Sequence, residues 1–102
     1  MEKIKNNDSN YKDIERFNCL VDEAKNEILS LLKDPESMPK YMTDSQLHSI
    51  IGELNTMRTT IGLYDFYPYY PKGIVDCWVL DDPLAIKLGE ILELYNRLKR
   101  VV

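Results

Sequence analysis

The sequence predicts an all-α protein: an antiparallel three- or four-helix bundle with a long aromatic and proline-rich crossover segment. Three observations carry this prediction. Three stretches repeat apolar residues at helical spacing, and each is bracketed by start or stop signals. The stretch between the second and third, residues 63–82, holds two prolines and a glycine that forbid one continuous helix. Helices with a single apolar side must bury those sides against one another, which gives a bundle.

The first helix is expected over residues 11–33. Ile14, Phe17, Val21, Ala24, Ile28 and Leu31 recur alternately three and four residues apart and form one stripe. Asp34-Pro35 closes it, because the residue before a proline is pushed out of the helical region. The preceding residues 1–10, MEKIKNNDSN, lack such a stripe and read as a flexible, solvated N-terminal arm. Residues 11–102 then form a single helical domain.

The second helix is expected over 43–61. Thr43-Asp-Ser-Gln46 has the form of a capping box, with Met42 and Leu47 placed as a hydrophobic staple. Its stripe is Leu47, Ile50 or Ile51, Leu54, Met57 and Ile61, and Gly62 follows as a natural stop. Gly52 inside this helix costs about 1 kcal/mol relative to alanine, which close approach of another helix would explain.

In the crossover, one short helical turn is expected over Ile74–Val79. Asp82-Pro83 then opens the last helix, 83–100, with an N-cap followed by proline at the first helical position. Leu84, Leu88, Ile91 or Leu92, Tyr95 and Leu98 form its stripe.

Composition narrows the function. The chain has 102 residues and a net charge of −4, which argues against a nucleic-acid binder, since that needs a concentrated basic surface. Its one basic cluster, Arg97, Lys99 and Arg100, suits the negative end of a helix. No apolar run approaches the roughly 18 residues of a membrane span, so no membrane is expected as a partner. The opening residues lack the apolar stretch of an export signal, and Cys19 and Cys77 form no CxxC pair. A cytoplasmic protein with reduced thiols is the expectation, with Cys19 buried or half-buried in its helix.

Chemistry finds little support. One histidine, His48, and two distant cysteines make no zinc set, and Asp76, Asp81 and Asp82 do not form a calcium loop. No nucleophile stands near a base in sequence, and there is no phosphate-binding glycine loop. We therefore expect no metal, no cofactor and no catalytic residue.

The distinctive string is Tyr67-Pro68-Tyr69-Tyr70-Pro71. Residues 64–78 hold Tyr64, Phe66, Tyr67, Tyr69, Tyr70 and Trp78, six of the chain's ten aromatic residues, too many for all to turn inward. Phe66 and Trp78 are expected as inward anchors. Tyr67, Tyr69 and Tyr70 are expected outward, as a contact surface bordered by Asp65, Lys72 and Asp76. This pattern points to a protein–protein interaction module with a basic partner: an inhibitor, an immunity factor or an adaptor. A homodimer or structural subunit burying the same rings is the alternative, and an enzyme of unknown class a further one.

Overall fold

A computed structural model describes residues 2–61, 66–79 and 81–101, with side chains only between residues 12 and 98. Among them are four α-helices and one 3-10 turn: α1 (Glu2–Lys33), the turn Pro35–Ser37, α2 (Asp44–Thr60), α3 (Tyr70–Cys77) and α4 (Pro83–Val101). The described residues contain no strand. The chain is an all-α helical bundle.

The 32-residue α1 is the spine. At about 1.5 Å per residue it spans roughly 48 Å, most of the molecule's 53 Å long axis. It begins at Glu2, so the segment expected as an arm continues the helix instead. Nothing in EKIKNNDSN is a proline or glycine, and a polar stretch without breakers can extend a helix nucleated by the stripe behind it. Phe17, Val21, Ala24 and Ile28 are fully buried.

The Thr43 hydroxyl accepts from the Gln46 backbone N–H at 3.1 Å and starts α2. Gln46 does not reach back to complete the box. Its Oε1 accepts from Trp78 Nε1 at 2.7 Å. Met42 and Leu47 are both buried beside the cap. The buried face of α2 runs Leu47, Ile50, Leu54, Met57, Thr60, with Ile61 only half-buried because the helix ends at Thr60. The stop expected at Gly62 lies outside the described residues. Among the described residues Gly52 is not a close-approach site: a Cβ there would meet none of their atoms within 4 Å beyond the local helix backbone.

Asp82 Oδ1 accepts from the Leu84 N–H at 2.8 Å and caps α4 as expected, while its other oxygen accepts from the Tyr41 hydroxyl. α4 buries Leu84, Leu88, Ile91, Tyr95 and Leu98, with Ala85 and Leu94 widening the face.

α1 packs most extensively on α4 and next on α2. Polar pairs give the directions: Arg58 meets Asn18 and Asp22 while Lys25 meets Asn55, and Arg16 meets Glu90 while Lys87 meets Glu27. In both pairings one residue number rises as the other falls, so α1 is antiparallel to α2 and α4. In the core the Phe17 and Tyr95 rings stack 6.1 Å apart, and Tyr95 shares a 2.7 Å hydrogen bond with buried Thr60. No buried side-chain polar atom among the described residues lacks a partner.

Candidate aromatic interaction surface

The crossover forms a longer helix than the single turn expected, and an earlier one: α3 covers Tyr70–Cys77. Pro71 sits in its first turn, where a missing N–H costs no intrahelical bond. The residue before the helix, Tyr69, supplies no side-chain cap. The cap comes from α2. Glu53 accepts from the Tyr69 N–H at 2.6 Å and the Tyr70 N–H at 2.9 Å, one through each carboxylate oxygen. A carboxylate at a helix N-terminus satisfies orphan donors and meets the positive end of the dipole.

Three further contacts pin the segment to the bundle. Trp78 is buried, bonded to Gln46, and tilted against the Tyr41 ring at 6.2 Å. Ile74 is buried. Gly73 brings α3 so close to α2 that an added Cβ would stand 2.9 Å from Gln46 Nε2.

Tyr70 departs from expectation. It is 4% exposed, not outward, and its hydroxyl donates to the Leu88 carbonyl of α4 at 2.8 Å. Burial holds this phenol well above its ordinary ionisation range, with the Glu53 charge adding to the effect. Tyr70 therefore faces the bundle rather than forming an outward contact ring with Tyr67 and Tyr69. Tyr67 and Tyr69 do face outward, at 70% and 83% exposure. Lys72 and Asp76 are also exposed, as are Val75 and Val79, which the sequence reading passed over. Phe66 is partly buried against the core. Asp65 lies outside the described residues.

Between α2 and the 66–73 segment runs an open groove of about 630 Å³. Ile50, Phe66 and Tyr70 give it apolar surface, and Ser49, Glu53 and Thr56 form its polar edge. Gln46, Tyr69 and the two glycines Gly52 and Gly73 complete the lining. The sequence reading missed Glu53 and gave Gln46 only a capping role. Their partners lie 16 and 32 residues downstream, and no local pattern announces such a contact.

Other polar clusters hold helices together. Lys87 bridges Glu23 at 3.3 Å and also pairs with Glu27. Arg58 donates to the Asn18 carbonyl at 2.8 Å and to Asp22 at 2.9 Å. Arg97, from the basic cluster, stands 3.6 Å from Asp13 and 3.9 Å from Glu93. Cys19 is exposed rather than buried, and its thiol donates to Glu23 at 3.3 Å. That hydrogen bond and the carboxylate charge raise its pKa. His48 is exposed. Among the described residues no group of three His, Cys, Asp or Glu side chains is arranged to hold a metal ion. No described helix is long and apolar enough to cross a membrane.

No protein-family model matches the chain, and no curated protein or solved structure matches it either.

Proposed function

We propose that this protein is a non-catalytic binding module that recognises another protein through the aromatic surface around Tyr67 and Tyr69. The observation that carries the reading is the exposure of these two rings, 70% and 83%, just ahead of a helix whose first N–H groups Glu53 holds. Both rings leave most of their surface in water. Tyrosine offers large contact area for little rotamer entropy, which is why it dominates binding hot spots. Pro68, Pro71 and the Glu53 carboxylate stiffen the chain beneath the rings, so less ordering remains for the moment of binding. With a net charge of −4, the module favours a basic partner and a salt-sensitive association rate. An inhibitor, immunity factor or adaptor fits this description.

The test is a binding measurement with a partner purified after affinity capture. Tyr67→Ala and Tyr69→Ala should each weaken binding by about 1–2 kcal/mol or more, and Tyr69→Ala should leave helical circular dichroism and the thermal midpoint unchanged. Full-strength binding by the double variant would end this reading. Exposed Val75 and Val79 on the same segment favour a symmetric homodimer as the second reading. Sedimentation equilibrium of the wild type against Val75→Lys separates the two.

A further inference from the structure

Resting on that reading, we propose that the groove between α2 and α3 receives an arginine side chain, flanked by an apolar residue, from a basic segment of the partner. Glu53 and Thr56 give the polar edge of the groove hydrogen-bond acceptors, beside the amide of Gln46 and the hydroxyl of Ser49. Glu53 is the only charged side chain among its described lining residues. Each of its oxygens already takes one backbone N–H and keeps lone-pair capacity for another donor. The Thr56 hydroxyl proton is committed to the Gly52 carbonyl at 3.0 Å, so that oxygen also turns acceptor toward the groove. An anion would meet Glu53 head-on. A wholly apolar occupant would strip water from that carboxylate without replacing it.

A guanidinium meets both halves of the site. It can donate in a fork to a carboxylate and lay its face on an aromatic ring, here Tyr69 or Phe66. Its apolar neighbour would rest on Ile50. The open groove, about 630 Å³, has room for one long side chain and its neighbour.

Gly52 is the independent sign. Glycine is a poor helix former, and this one lies mid-helix in α2. Among the described residues, no atom beyond the local helix backbone comes within 4 Å of where its Cβ would be, so their packing does not require it. It does line the groove. A bare backbone there keeps the α2 wall open to an incoming chain.

The experiment titrates the full chain with a blocked Leu-Arg-Leu peptide, followed by amide chemical shifts. A peptide with citrulline in place of arginine is the isosteric neutral control. Saturable shifts are expected at Gly52, Glu53, Tyr69, Tyr70 and Gly73, with citrulline binding at least about tenfold weaker. Gly52→Leu, whose side chain projects into open space, should fold as the wild type does and abolish the shifts. Equal binding of the two peptides, no saturable shift, or retention in Gly52→Leu overturns the proposal. The purified partner separates this inference from the reading beneath it, because Tyr67 lies outside the groove lining. If Tyr67→Ala weakens the partner and Gly52→Leu does not, the aromatic surface stands and the arginine site falls. If only Gly52→Leu weakens it, the reverse holds.

Discussion

Tyr70 shows how much one hydroxyl can decide. Its ring closes the core between α3 and α4, and its O–H would be an unsatisfied donor there without the Leu88 carbonyl. Tyr70→Phe should cost about 0.5–1.5 kcal/mol in a urea titration, the usual net value of one such bond. Tyr41 gives a pH-dependent counterpart. Its hydrogen bond to Asp82, with some burial and the nearby carboxylate charges, moves its pKa from the ordinary 10.0 up to about 12. The folded state therefore holds this proton more tightly than the unfolded chain does. Its contribution is whole below pH 10 and is lost as pH rises through about 12. Following the phenolate absorbance alongside helicity should show less alkaline destabilisation in Tyr41→Phe. Neither tyrosine's place was legible locally, since the partner of each lies on or next to α4, far along the chain. Exposure of Tyr67 and Tyr69 was legible, because so dense an aromatic string cannot all be core.

At the scale of single elements, the helices that carry a stripe are the ones the sequence announces. α2 and α4 have caps on their own flanks, and Thr43 and Asp82 perform as read. α3 has no cap of its own and borrows Glu53, so its start at Tyr70 was hidden until the neighbouring helix was in place. Glu53→Ala should cost about 0.5–2 kcal/mol, as loss of a helix cap does, and should speed amide exchange first at Tyr69 and Tyr70. The two glycines beside the groove predict opposite outcomes. Gly52→Ala should stabilise α2 by about 0.5–1 kcal/mol in thermal unfolding, the helix-propensity difference with nothing in the way. Gly73→Ala should fail to yield that gain, because its methyl would press on a Gln46 amide held in place by Trp78.

For the molecule as a whole, the bundle was readable and the length of its spine was not. The polar opening of α1 carries no apolar stripe, and a helix that continues past its stripe leaves no periodic trace. Deep in the bundle, Leu88→Ala should cost about 2–5 kcal/mol through lost burial and a cavity, a large share of the roughly 5–15 that holds a domain of this size together. Charge sets the pH limits around that core. The Cys19 thiol and then Lys87 hold Glu23 below its ordinary 4.5, so its contribution is present above that value and lost as pH falls through the lowered one. Lys87 is raised above 10.5, chiefly by its bond to Glu27, and its contribution is lost as pH rises past that raised value. Thermal midpoints measured across pH should therefore fall at both ends, and Lys87→Met should flatten both slopes.

The way α3 is held has a consequence for how this protein can diverge. Glu53 grips backbone N–H groups, which every residue but proline possesses, and the inward anchors are confined to Tyr70, Ile74 and Trp78. The side chains at 69, 72, 75, 76 and 79 take no part in that grip and face water. Surface changes of this kind usually alter stability by less than about 0.5 kcal/mol. A lineage can thus rewrite these five positions one at a time, acquiring a new binding preference while every intermediate still folds.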